Sequence, residues 1–405
     1  MSTVYVHIGL AKTGTTSLQQ AAHERRDECA AAGLHVPGTR HRDHRLAAYD
    51  LLGRRIEGDD ADVVPGAFRR LVDDIAAAGA EKALFSEELL AVARPAQVRR
   101  LVRALAPHRV EVIVGLRDLG RTLVSAWQQE VVMGETVSWP EYAAAVRDAG
   151  ATGSRAGVAF WLRQDVFRVL DAWRRHVPAE RIHLVTVPPP GADDRVLLER
   201  FADALGIPPA TLSLDAGPRN RSLGAVEIEA LRRLNGRIAT KLSTRQYLYL
   251  VEHGIRERLE APATRPLRLP AEHHPWVAER SEGIVAGLRE RGHVVHGDLA
   301  DLLPPDPGAA VDRPVDDVSD DELVDVLEDM LTALAMAHGA LFRRYRRLAE
   351  RSGEHPGTLE VVRSQARAAV FGSKTAALRW ADRSPVAAWG ARQYLRRTTK
   401  GRPLP

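Results

Sequence analysis

The sequence of 405 residues holds a single cysteine, Cys29, so no disulfide can close within the chain. An oxidising compartment would add nothing to its stability. No apolar run approaches the roughly 18 residues that a membrane-spanning helix needs. The start has no cluster of positive charge, no long apolar stretch and no small-residue cleavage site. Residues 4–10 therefore read as a first strand rather than a secretory leader, and the expected location is cytoplasmic. Aromatic residues are few, at 5%, and do not interleave with the basic ones. With no zinc-finger spacing either, nucleic acid is not an expected partner. Fifteen histidines are present, His41 close to His44 and His273 beside His274, but no cysteine or carboxylate completes a ligand set by spacing. No metal site is expected.

What is there is the composition of a globular protein, 45% hydrophobic and 27% charged. The length suits one large core with an appended part. The run Leu303-Pro304-Pro305-Asp306-Pro307-Gly308 is the strongest break. It divides the chain into residues 1–305 and a helical C-terminal extension, residues 306–405. The net charge of +4 is unevenly spread. Residues 312–329 hold nine acids and one base, and residues 341–405 hold fifteen Lys or Arg against four acids. Solvated helix faces account for both. The sharper alternative is peripheral contact of the basic tail with an anionic lipid surface.

Four short β-branched or apolar runs, residues 4–8, 82–85, 110–116 and 182–187, read as buried strands with helical patterns between them. Near-continuous apolar strands alternating with helices predict an α/β fold, a parallel sheet with helices on both faces. Ligands of such a sheet sit at the carboxyl ends of its strands. A first helix is expected from residue 15 or 16 to residue 32, before Gly33. Others are expected over residues 119–132, 160–176, 323–348 and, more loosely, 361–397. Cys29 and the tryptophans Trp127, Trp161 and Trp173 fall on the apolar faces of these helices and read as core.

Between the first strand and helix lies Gly9-Leu10-Ala11-Lys12-Thr13-Gly14-Thr15-Thr16. A helix N-terminus offers free N–H groups and the positive end of the helix dipole, so anions bind there. Lys12 adds a point charge, and Thr15 and Thr16 add hydroxyls. Gly9 and Gly14 have the glycine spacing of the nucleotide-kinase loop, but Thr15 stands where that loop has its lysine. Arg117 ends the third long strand, and Ser125 follows eight residues later. An arginine fork can take two phosphate oxygens and a nearby serine a third. Ser86-Glu87-Glu88 ends the second of the four runs.

These segments resemble the sulfotransferases that use 3′-phosphoadenosine 5′-phosphosulfate (PAPS). The lysine two residues before Gly14 matches their phosphosulfate loop, K-x-G-T-[ST]. Their strand-end arginine and the serine eight residues on hold the cofactor's 3′-phosphate, which implies that role for Arg117 and Ser125. Several bacterial and carbohydrate members place a glutamate base near the Ser86-Glu87-Glu88 position. Glu87, directly after the serine, is the choice, with Glu88 left open. Arg219-Asn220-Arg221-Ser222-Leu223 resembles their late loop, which implies cofactor contacts from Arg219 and Ser222, although it departs from the R-K-G of the animal cytosolic enzymes. The resemblance runs over about residues 3–305. It implies a P-loop-like α/β fold and transfer of a sulfuryl group to a hydroxyl or amine of a small-molecule, carbohydrate or lipid acceptor.

In that expectation the loop Lys12-Thr13-Gly14-Thr15-Thr16 binds the cofactor: Lys12 neutralises the departing 5′-phosphate, the N–H groups of Gly14, Thr15 and Thr16 cradle it, and Glu87 removes the acceptor proton. The sulfuryl group carries less charge than a phosphoryl group, so no metal is demanded. Two other readings stay open: an ATP-dependent kinase of related fold, and a non-catalytic scaffold with a degenerate cofactor site.

Overall fold

The computed structural model describes residues 2–54, 61–213, 223–259, 264–305, 315 and 317–352. Six strands form one sheet: β1 (Thr3–His7), β2 (Leu34–His35), β3 (Lys82–Ser86), β4 (Arg109–Leu116), β5 (Ile182–Thr186) and β6 (Val294–His296). Their order is β2-β3-β1-β4-β5-β6. Every pairing is parallel; in the centre Val4 lies opposite Ala83 on one side and Val110 on the other. The fold is α/β, as the strand pattern predicts.

Strand alternation explains both helical layers. Val4, Val6, Val110, Val112 and Val114 face a core shared with Leu51, Phe68, Leu101 and Trp173. Leu84, Ile113 and Val185 face the opposite side, where they meet Leu18, Cys29 and Phe201. A strand buried on both faces has no polar alternation, so it reads as a continuous apolar run. The two short strands carried no such signal. β2 has two residues, and the Val294 and Val295 of β6 are both exposed.

The helices differ in detail from the periodic reading. The expected first helix is two, Thr15–Glu24 and Arg26–Ala31, separated at Arg25 with φ −103° and ψ 34°. The expected helix over residues 160–176 is also divided, into Arg155–Gln164 and Val166–Arg174. Asp165 causes that break: its carboxylate accepts from the Arg168 N–H at 3.1 Å and so starts a new helix. Leu119–Val132 is observed with the expected bounds. It belongs to a second, largely helical core with Trp127, Trp139, Tyr142, Leu231 and Tyr247.

Residues Met1–Leu334 form one compact unit and Ala335–Pro405 a second. A 33-residue helix, Asp320–Ser352, covers the expected 323–348 segment. Its Leu323, Val326 and Met330 pack with Val226, Ala230 and Ile255. The looser helix expected over residues 361–397, and most of the basic tail, lie outside the described residues. Among the described residues, no helix is long and apolar enough to cross a membrane.

Candidate functional site

The chain leaves β1, visits β2 and β3 on one side, then crosses to β4 on the other. A crevice therefore opens beside the carboxyl end of β1, where open α/β sheets bind ligands. Three segments meet there: the loop after β1, Glu87 and Glu88 after β3, and Arg117 after β4.

The loop is pinned to β4. Leu10 N–H donates to the Gly115 carbonyl at 2.9 Å, and Gly115 N–H donates to the Gly9 carbonyl. Thr13 is buried and donates its hydroxyl to the Leu10 carbonyl at 2.7 Å. The room for Thr13 comes from Gly115, where a Cβ would stand 2.6 Å from the Thr13 hydroxyl oxygen. Gly14, with φ 82°, is the N-cap of Thr15–Glu24, and no side chain caps that helix start. Its first N–H groups thus face the crevice uncapped, next to Lys12. Thr15 is also buried, its hydroxyl 3.4 Å from the Leu10 carbonyl. Thr16 is exposed on the first turn. Thr13 therefore uses its hydroxyl to shape the loop, while the Thr15 hydroxyl is shared between the Leu10 carbonyl and Glu88, so what both offer a bound anion is backbone N–H.

Lys12 has φ 68° and sends its ammonium to Gln129 Oε1 at 2.7 Å. Burial lowers its pKa, and the charge of Glu88 opposes the fall. Arg117 binds the loop from the other side. Its Nη1 donates to the Lys12 carbonyl at 3.1 Å and to the Ser125 hydroxyl at 3.3 Å, while its Nε is buried without a partner. Burial pushes the Arg117 pKa down to about 10, with Arg121 adding to the fall and Asp118 opposing it. The guanidinium remains charged at neutral pH.

Glu87 and Glu88 differ in the groups that act on them. Glu87 is buried, caps the following turn by accepting from Leu89 N–H at 3.3 Å, and lies 3.9 Å from Arg45. Burial raises the pKa of both carboxyls. The largest opposing charge at Glu87 is Arg45; at Glu88 it is Lys12, with Arg45 next and a hydrogen bond from Thr15 after it. Glu88 is thus the carboxylate on which the lysine charge acts most.

Beyond Arg117 opens a cavity of about 630 Å³, lined among others by Arg117, Ser125, Leu223, Thr264, Arg268 and Leu269. Lys12 and the two glutamates do not line it; Arg117 is the residue common to cavity and loop.

No family model matches the chain, and no curated protein matches it. Among solved structures, a sulfotransferase from Alicyclobacillus acidocaldarius aligns over 62% of this chain and 95% of its own, with 17% identity and a TM-score of 0.35. A likeness of that extent assigns neither residue roles nor an activity.

The site thus brings together Lys12, Thr13, Gly14, Thr15, Thr16, Glu87, Glu88, Arg117 and Ser125. Arg219 and Ser222 lie outside the described residues. Four contributors carry no motif. Gln129 holds the Lys12 ammonium, and its place one helical turn after Ser125 was the available signal. Gln164 donates to the Ala11 carbonyl at 2.9 Å from 153 residues away. Glu227 is buried and accepts from Thr264 N–H at 2.9 Å and from the Thr264 hydroxyl, so it fixes one wall of the cavity. Gly115 reads in the sequence as one more strand residue. His7 and His44 lie under the site. His7 Nδ1 pairs with the Ser86 hydroxyl at 2.8 Å, and His44 Nε2 with the Pro37 carbonyl at 2.9 Å. Among the described residues, no group of three His, Cys, Asp or Glu side chains converges on a point that could hold a metal ion.

Proposed function

We propose that the chain is a sulfotransferase that takes its sulfuryl group from PAPS and passes it to a hydroxyl or amine of a small-molecule, carbohydrate or lipid acceptor. One observation carries this reading. Arg117 links Lys12 and Ser125 in a single hydrogen-bonded unit, although the three are spread over more than a hundred residues. A cation at a helix start and a second cation with a hydroxyl beside a cavity suit a ligand with two separate anionic groups.

The residues fit that cofactor on two further counts. Arg117 keeps a buried Nε without a partner, a donor that a phosphate oxygen would satisfy. The helix start at Gly14 lacks a side-chain cap, which leaves its N–H groups for an anion. When bound, PAPS supplies a sulfuryl group joined to a stable phosphate leaving group.

The chain's own residues then divide the work. Lys12 and the N–H groups of Gly14, Thr15 and Thr16 hold the 5′-phosphate end and neutralise charge that grows there. Arg117 and Ser125 hold the 3′-phosphate, which ATP lacks. Leu223 and Leu269 line the cavity that would take the nucleoside. Glu88 removes the acceptor proton in this reading, in preference to Glu87, because the Lys12 charge acts on Glu88 while Glu87 contacts Arg45 and caps Leu89. Its raised pKa makes it a stronger base than an exposed carboxylate.

Calorimetry with 3′,5′-adenosine bisphosphate, beside ADP and ATP with and without Mg²⁺, tests the reading. Tight metal-independent binding of the bisphosphate, lost in Arg117→Ala, is expected. A preference for ATP with Mg²⁺ would overturn it in favour of a kinase. No binding of any nucleotide would point to a scaffold.

A further inference from the structure

Among the described residues, the helix Asp320–Ser352 carries more apolar side chains than its packing covers. Leu323, Val326, Met330 and Ala333 are buried. A second apolar stripe begins one residue later. Val324, Leu327, Leu331, Leu341, Tyr345 and Leu348, together with His338 and with Leu334, which is half-buried against the Val226 and Ile255 cluster, recur at alternating spacings of three and four residues. Those are the a and d positions of a heptad repeat. On this stripe Leu331 is 68% exposed, Tyr345 66%, Val324 53% and Leu341 52%. Scattered exposed apolar residues are ordinary, but an ordered row about 36 Å long on one helix is a surface that water does not favour.

We propose that the stripe is covered by the same helix of a second copy of this chain, running antiparallel. Two features of the sequence select that occupant. The first is symmetry about Met336. Positions 324 and 348, 327 and 345, 331 and 341, and 334 and 338 lie at equal distances on either side of it. A two-fold axis at the level of Met336 therefore sets each a residue of one helix against a d residue of the other. That is an isologous, self-closing contact.

The second feature is charge. Residues 320–329 hold six acids and no Lys or Arg, while residues 343–351 hold five arginines and one acid, Glu350. A parallel in-register pair lays acid along acid and arginine along arginine, which is repulsive over the whole stripe. The antiparallel pair lays each acidic half along the basic half of its partner. An apolar partner of another kind would need to reproduce both the symmetry and the charge reversal.

Light scattering on the full-length chain at tens of micromolar is expected to give twice the 44.5 kDa of one chain. The double variant Leu331→Asp and Leu341→Asp is expected to run at the single-chain mass with unchanged circular dichroism, since both side chains are exposed. Orientation is read by cross-linking. Leu327→Cys mixed with Tyr345→Cys is expected to form the mixed disulfide, and neither variant to link to itself; Cys29 is buried and does not compete. Three results would each overturn the proposal: a single-chain mass for the unmodified protein, which is what cover by residues 353–405 would give; a doubled mass that survives both aspartates; or self-linked Leu327→Cys, which marks a parallel pair.

Discussion

Arg117 grips Lys12 by its backbone: the guanidinium donates to the lysine carbonyl at 3.1 Å while the lysine ammonium reaches away to Gln129. The arginine therefore does two things, holding the loop in its left-handed turn at Lys12 and presenting charge to the cavity. A lysine at 117 keeps the charge but not the fork. Arg117→Lys is expected to weaken 3′,5′-adenosine bisphosphate binding by about 1.5–3 kcal/mol, roughly 10- to 150-fold, the range for a lost charge-assisted hydrogen bond. Titration calorimetry reads it directly. Unchanged affinity would remove Arg117 from the anion site.

The two glutamates make opposite predictions. If Glu88 takes the acceptor proton, Glu88→Gln should lower turnover by about 10²–10⁴-fold, the usual contribution of a general base. Cofactor affinity should change little. Glu87→Gln should cost mainly stability, through its contact with Arg45 and its cap on Leu89. With its pKa raised by burial, Glu88 gives up its proton at a higher pH than an exposed carboxylate does. The acid limb of turnover should therefore lie at higher pH than an exposed carboxylate would give, and vanish in Glu88→Gln. A large loss of turnover in Glu87→Gln with Glu88→Gln active would return the base to Glu87.

Gly115 is the residue whose role the sequence hid. Its Cβ would meet the Thr13 hydroxyl oxygen at 2.6 Å and the Thr13 Cβ at 3.1 Å. Thr13 is buried and tied to Leu10, so it cannot swing clear. Gly115→Ala is expected to cost about 1–3 kcal/mol, the usual cost of overpacking, and to weaken bisphosphate binding by displacing the loop. Gly236, inside the helix Ala225–Ile238, has nothing within 4 Å of its would-be Cβ. Gly236→Ala should instead stabilise by about 0.5–1 kcal/mol. Thermal melts of the two variants should move in opposite directions; a neutral Gly115→Ala would refute the close approach.

These residues show which features a single sequence exposes. Lys12 and Gly14 sit two residues apart on one loop, and Arg117 and Ser125 on one strand end and the helix after it, so local spacing reveals them. Strands β1 and β4 are buried on both faces and read as apolar runs for that reason. Gln164 and Glu227 reach the site through tertiary contacts, and nothing near them in sequence says so. The break at Asp165 was open to reading, since a capping aspartate is a local signal, but the apolar period of Leu162, Val166, Val169 and Leu170 runs straight through it. The choice between Glu87 and Glu88 turns on where two adjacent side chains point, and spacing carries no such information.

The histidines beneath the site should make the fold acid-sensitive. Burial drives the pKa of His7 down to about 3 and that of His44 down to about 4. His7 Nε2 is buried without a partner, and the ring packs edge-on to Phe201 at 5.0 Å, so a proton there has nowhere to be solvated. In the unfolded chain each histidine takes up a proton near pH 6.5. Between that pH and the folded value the unfolded state binds a proton that the folded state refuses. Stability must then fall as pH falls, by up to about 1.4 kcal/mol per pH unit for each histidine. The loss starts below about pH 6.5 and ends for His7 near pH 3. Glu87 and Glu88, with raised pKa values, work in the opposite direction at lower pH, so the native slope alone does not isolate the histidine. The difference between His7→Gln and the unmodified protein does. Denaturant midpoints at pH 7.5 and pH 5 should show the variant losing about 2 kcal/mol less than the native chain over that interval. Equal losses in the two proteins would mean that His7 is already protonated, or reaches solvent, in the folded state.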